Sequence, residues 1–204
     1  MQRENDRPTR VRLKPDERRR LILEAAFRAV ADEGFEGLRT RDIAAAIGIN
    51  SATLHHYFPT KDDLIAAIAD HLEHRLRTEH APVQDNADVD PFGRQFDDLA
   101  WYHAEAPELL AVFREFVARA PRDLAIRALV DRLHAGWHAS IVTALGRARA
   151  QGLLRADVDP DACARIVLGT AWSLVARVCV SMDELDAAAG QLRTLVLAPD
   201  RSRP

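Results

Sequence analysis

The chain has 204 residues, nearly half of them apolar, with a net charge of −3 and two cysteines. That is enough for one sizeable domain, or two small ones sharing a boundary, around a real core. No apolar run reaches the ~18 residues of a membrane span. The opening M-Q-R-E-N-D-R-P lacks an apolar secretory segment, so a cytoplasmic protein is expected.

Residues 1–15 carry Arg3, Arg7, Arg10, Arg12 and Lys14 beside Pro8 and Pro15, without apolar periodicity. They predict a flexible basic arm, of the kind that lies in a minor groove or adds nonspecific attraction. A first helix is predicted over 16–33. Leu21, Ile22, Ala25, Ala26, Ala29 and Val30 form its stripe, and Gly34 stops it. Phe35 and Leu38 then fold back onto the core. Next comes T-R-D-I-A-A-A-I-G-I-N-S-A-T-L-H-H-Y-F-P-T-K, from Thr40 to Lys61, which reads as a helix-turn-helix. Thr40 is the expected N-cap of its first helix. Gly48 ends that helix, where a left-handed residue costs least. Ile49 plugs the corner, and Asn50 or Ser51 caps a second helix to about Tyr57. Leu54 and Phe58 face inward, while Ser51, Ala52, His55 and His56 face outward. A face that is small at its start and polar beyond suits entry into a major groove.

After Pro59, Thr60 is a cap with Asp63 at the capping-box position. The helix that follows runs through Leu64, Ile65, Ile68, Leu72 and Leu76. Lys61 sits in its first turn, where a cation opposes the helix dipole. Residues 80–90 read as a loop. Helices are predicted at 91–105, with Phe92, Phe96, Leu99, Ala100 and His103 inward, and from Pro107, with Leu109, Leu110, Phe113 and Val117. A third covers 121–151. At ~45 Å straight it calls for a bend or break, and Gly152 ends it. Asp159-Pro160 opens a helix to about Val180, Ser181 caps another to about Leu197, and 198–204 should fray. No segment reads as strand. Cys163 and Cys179 fall sixteen apart on one predicted helix, ~24 Å, too far for a disulfide. Residues 1–61 hold twelve Lys or Arg against nine Asp or Glu, and the remainder sixteen against twenty-two. A basic head on an acidic body points to a polyanion at the head.

Ala25-Ala26, Gly34-Phe35, Thr40, Asp42-Ile43-Ala44, Gly48-Ile49, Thr53-Leu54, Tyr57-Phe58 and Lys61 agree in order and spacing with one pattern. Over about residues 17–65 the chain resembles the N-terminal domain of the tetracycline-repressor (TetR-like) family. The resemblance implies an all-α chain, with a three-helix DNA-binding domain over 16–62 and a helical ligand-binding and dimerisation domain over 63–197. It implies DNA contacts from Thr40, Arg41, Ser51, Ala52, Thr53, His55, His56, Tyr57 and Lys61, with Lys61 on a phosphate. His55 departs from the family, which usually has Tyr after the Leu of the recognition helix. The resemblance also implies a homodimer on a palindromic operator, through the last two helices. Ile166, Val167, Leu168, Ala171, Trp172, Leu174, Val175, Val178 and Val180 leave the eighth helix almost no polar face, and a second copy is the simplest cover. Ile166, Leu168, Val175, Leu192 and Leu195 are the expected interface. In the family the body also encloses a small-molecule pocket; Trp101, Phe113, His134, Trp137 and Trp172 are candidates to line one.

His134 and His138, and His71 and His74, have helical spacing but lack a third ligand and a HExxH motif. No catalytic triad signature or Gly-rich phosphate loop occurs, so no catalytic residue, metal or cofactor is expected. The reading is a ligand-released repressor. The alternatives are a DNA-binding regulator whose body answers to a protein partner or to nothing and, more distantly, a metal-dependent enzyme.

Overall fold

The computed structural model describes residues 14–79, 93–177 and 180–198. The predicted arm before Lys14, the loop at 80–90, Phe92, Val178, Cys179 and the tail after Ala198 lie outside the described residues. The described residues hold nine helices and no strand. They are α1 (Pro15–Glu33), α2 (Thr40–Ala46), α3 (Ser51–Tyr57), α4 (Lys61–Thr78), α5 (Gly93–Glu105), α6 (Pro107–Arg119), α7 (Leu124–Ala150), α8 (Pro160–Val175) and α9 (Met182–Val196). Single 3-10 turns, Gly34–Gly37 and Ala120–Arg122, follow α1 and α6.

Local chemistry explains most of the boundaries. Asn50 Oδ1 accepts from Thr53 N at 2.7 Å and opens α3. Thr60 and Asp63 form a reciprocal capping box at α4, each accepting the other's backbone N–H at 3.0 Å. Asp159 caps α8, and Ser181 with Glu184 boxes α9. α2 closes on a Schellman motif: Ile49 N bonds Ala44 O, Gly48 N bonds Ala45 O, and Gly48 takes φ +68°.

Several expectations are corrected. Thr40 is the first residue of α2 and not its cap. Arg39 O already accepts from Asp42 N and Ile43 N, so the helix register starts one residue earlier. On α1, Leu23 and Phe27 are buried and Leu21 only partly so, because α2, α4 and α6 together cover more than one stripe. α7 starts after Pro121: Asp123 takes the N–H groups of Ala125 and Ile126 and restarts the helix beyond the 3-10 turn. α8 ends at Val175, five residues early, with an Arg114 N–H donated to Val175 O. Of the two cysteines, Cys163 is buried and free, and Cys179 lies outside the described residues. Ala198 is not frayed, since its N–H bonds Leu153 O at 2.8 Å beside a lone Leu154–Leu197 bridge.

Two apolar clusters form the interior. One joins α1 to α4 with α6 and the first half of α7, so head and body share it. The other joins α5, Leu110 of α6, the second half of α7, α8 and α9.

At the head–body junction Gly34 takes φ +69° and ends α1. A Cβ there would lie 2.8 Å from Glu115 Oε2 of α6, the atom that accepts from Phe35 N at 3.3 Å. A Cβ on Gly48 would meet nothing within 4 Å. Gly48→Ala should therefore cost about 1 kcal/mol of backbone strain. Gly34→Ala should cost about 2–3 kcal/mol, because Gly34 at ψ −168° lies in a region open essentially to Gly alone, and the Cβ also pushes the Glu115 carboxylate from Phe35 N. Urea titrations of both variants check this; equal losses would show that Gly34 carries no more strain than Gly48.

Candidate nucleic-acid interface and ligand cavity

The head presents one polar surface built from three helix starts. On α3, Leu54 and Phe58 at the helix end are buried, which turns Ala52, His55 and His56 to solvent, with Ser51, Thr53 and Tyr57 half-buried. The His56 and Tyr57 rings meet edge to face at 5.3 Å. Thr53 points its hydroxyl back to Asn50 Oδ1 at 2.9 Å, so it belongs to the cap as well as to the surface. In the first turn of α2, Arg41 is exposed and Thr40 half-buried. Lys61 is exposed at the start of α4, and its Nζ donates to Phe35 O at 3.4 Å. Two cations were missed in the sequence. Arg19 lies over the Phe58 ring at 4.9 Å, and exposed Arg39 pairs with Asp42 at 4.0 Å. The R-R-R run at 18–20 was the available signal for the first.

The body holds a cavity of about 110 Å³ at the seam of the two apolar clusters, between the end of α4, α5, α6, α7 and α8. Phe113, Trp137 and Trp172 line it. Trp101 and His134 do not. Trp101 packs against Tyr102 at 5.3 Å, and exposed His134 meets Trp172 at 5.6 Å. Sequence reasoning passed over Gln95, Asp98 and Tyr102, which line the cavity from α5. Their spacing interleaves them with Phe96 and Leu99, and that was the signal. Tyr102 Oη donates to Leu76 O at 2.8 Å. Burial first, then the charge of Asp98, pushes its hydroxyl up to about 12.

One helix links the two sites. On α6, Phe113 faces the cavity, while Phe116 meets the Phe35 ring edge-on at 5.1 Å. Glu115 holds Phe35 N, and Arg119 lies over the Phe35 ring at 5.0 Å. The Phe35 residue is thus held by the body at its N–H and by Lys61 at its carbonyl.

The expected interface residues divide. Leu168 and Leu192 are buried within the chain, and Val175 lines the cavity. Ile166 and Leu195 are 60% and 54% exposed. α8 is therefore not apolar all round: Arg165, Gly169 and Ser173 share the exposed side with Ile166. Among the described residues no three His, Cys, Asp or Glu side chains gather as a metal site, and no helix is long and apolar enough to cross a membrane.

Comparison with known proteins agrees with this arrangement. Residues 22–68 match the family model for bacterial regulatory proteins of the tetR family. Residues 96–197, half of the chain, match the C-terminal model of BetI-type transcriptional repressors. The transcriptional regulator BetI of Rhizobium meliloti is 30% identical over 116 residues, 55% of this chain and 57% of that protein. PksA of Bacillus subtilis, also a transcriptional regulator, is 41% identical over 51 residues, 25% of each chain. The chain thus spans less than two thirds of either relative. A crystal structure of a transcriptional regulator from Saccharomonospora viridis in complex with choline superposes with a TM-score of 0.68 at 22% identity, covering 90% of this chain and all of that one. With its head and its body each matched by a model of this kind, the chain belongs to the tetR family of bacterial regulatory proteins.

Proposed function

We propose that this chain is a DNA-binding transcriptional regulator: a repressor that holds a palindromic operator as a homodimer and releases it when a small, largely apolar ligand enters the body. The observation that carries this reading is α6, which lines the cavity with Phe113 and, one turn on, packs Phe116 against Phe35 beside Lys61. α4 offers a second path, since Leu76 lines the cavity and Lys61 starts the same helix. Ser51, Ala52, His55 and His56 lie nearest the bases. Thr40, Arg41, Tyr57 and Lys61 reach phosphates, and phosphate contacts set register without reading sequence. A dimer through the exposed sides of α8 and α9 places the two α3 helices about one DNA turn apart, ~34 Å or somewhat more. A ligand that alters that spacing weakens operator binding without touching DNA. The cavity favours a small molecule over a protein partner as the signal. Choline belongs to the S. viridis structure, and at 22% identity that likeness carries the fold alone. The ligand here has to be read from this chain's own lining.

Lys61→Ala should weaken binding to a DNA fragment selected from a random pool, across sequences, and flatten the salt slope by about 0.9. Filter binding at four salt concentrations measures it; an unchanged slope rejects Lys61 as a phosphate contact. Ile166→Arg should convert the protein from dimer to monomer with the fold intact, whereas Leu168→Arg should unfold it. Sedimentation with circular dichroism separates the two, and a wild type already monomeric at micromolar concentration sinks the dimer. Any ligand that enters the cavity should bind operator-saturated protein about 5- to 150-fold more weakly than free protein. Paired titrations give the factor; equal affinities would mean no coupling.

A further inference from the structure

Helix phase sorts the outward face of α3. A helix turns about 100° per residue. With the direction of buried Leu54 and Phe58 taken as inward, His56 stands about 180° and Ala52 about 140° away, so these two form the apex. His55 and Tyr57 flank the apex, each about 80° from inward, and Ser51 lies about 40° from it. Exposure agrees, since Ala52 and His56 are exposed and Ser51 is half-buried. The helix, S-A-T-L-H-H-Y, carries no Arg, Lys, Asn, Gln, Asp or Glu. The usual partners of guanine, adenine and cytosine are therefore missing from it. The Thr53 hydroxyl is turned to Asn50 Oδ1 at 2.9 Å, which leaves His56 as the hydrogen-bonding side chain at the apex. Its ring is also held in place. It meets the Tyr57 ring edge to face at 5.3 Å, and Tyr57 packs against the core that the head shares. Ala45, Ala46 and Gly48 before α3 are exposed and small, which lets the start of the helix approach a groove floor closely.

We propose that His56 reads a guanine in each operator half-site and that Ala52 sets a thymine one or two base pairs from it. The proposal rests on the reading of α3 as the helix that enters the major groove, and it names the sequence taken there. An imidazole has an N–H to donate in either protonation state, and the negative field of the duplex favours a ring that turns that N–H to the bases. Guanine offers two acceptors side by side, N7 and O6. Adenine sets an amino group beside its N7, and cytosine offers a donor alone. The Ala52 methyl lies one turn before His56, ~6 Å along the axis, and suits the methyl group of thymine. Base pairs rise about 3.4 Å each, which puts that contact one or two base pairs from the guanine.

The test selects DNA from a random pool with the full chain and with His56→Ala, His56→Gln and His55→Ala, each checked for helix content by circular dichroism. The wild type should enrich a half-site with a fixed guanine. His56→Ala should relax that one position, with discrimination there falling about five- to ten-fold. His56→Gln should move the preference to adenine, which Gln pairs at N6 and N7, and His55→Ala should leave it at guanine. On the wild-type half-site, 7-deazaguanine at that position should weaken the wild type about five-fold and His56→Ala not at all. Replacing thymines one at a time by deoxyuridine removes one methyl each. The costly replacement, about two-fold, should lie one or two base pairs from the guanine; no such thymine overturns the role of Ala52. A guanine that survives either change at His56, or that is lost with His55→Ala instead, overturns the proposal and leaves the groove reading of α3 standing. A different base at the position that His56→Ala relaxes does the same, as does an equal 7-deazaguanine penalty in His56→Ala. Enrichment of no sequence by the wild type overturns both.

Discussion

Seven residues are too few to hold a helix, and α3, the helix proposed to enter the groove, has seven. Isolated helices of that length do not persist in water. Everything around α3 supplies what it lacks. Asn50 satisfies an orphan N–H at its start, and the Gly48 turn fixes its approach from α2. Leu54 and Phe58 anchor one side in a core built largely by α1 and α4. The polar face of α3 is therefore presented by a rigid scaffold, as base-reading side chains require.

That scaffold does not end at the head. The same apolar cluster continues through α6 and the first half of α7. Phe35 lies at the centre of the join: its ring lies under Arg119 and against Phe116, and its peptide is held by Glu115 and Lys61. A cation that would meet a phosphate thus also donates to a carbonyl whose residue the body grips. This is a short path from the cavity to the proposed DNA surface, and it runs through α6 more directly than through α4.

The head was legible because its signals are local. Gly48, Asn50 and the Leu54–Phe58 spacing each act within a few residues, and the capping box of Thr60 and Asp63 acts across three. The body was less legible because its decisions are made at a distance. Nothing near Val175 stops α8; Arg114 meets its last carbonyl from 61 residues away. Leu168 and Ile166 look alike in sequence, and only the packing of α5, α7 and α9 decides that one is interior and the other exposed. Trp101 and Tyr102 are neighbours, yet the helix phase gives the cavity to Tyr102. Asp98 and Gln95 were passed over because apolar periodicity directs attention away from polar residues on a buried stripe.

The cavity lies on the boundary between two close-packed interiors, with Tyr102, Trp137 and Val175 packed against both. Protein interiors have crystal-like density and low compressibility. Volume inserted at such a boundary is not absorbed by squeezing either side. It appears as displacement of one solid against the other, as when a wedge enters a joint between two blocks. In the proposed switch the block that carries α1 to α4, with α6 and the first half of α7, moves as a whole, so that a molecule of a few atoms changes the pose of the head without deforming it.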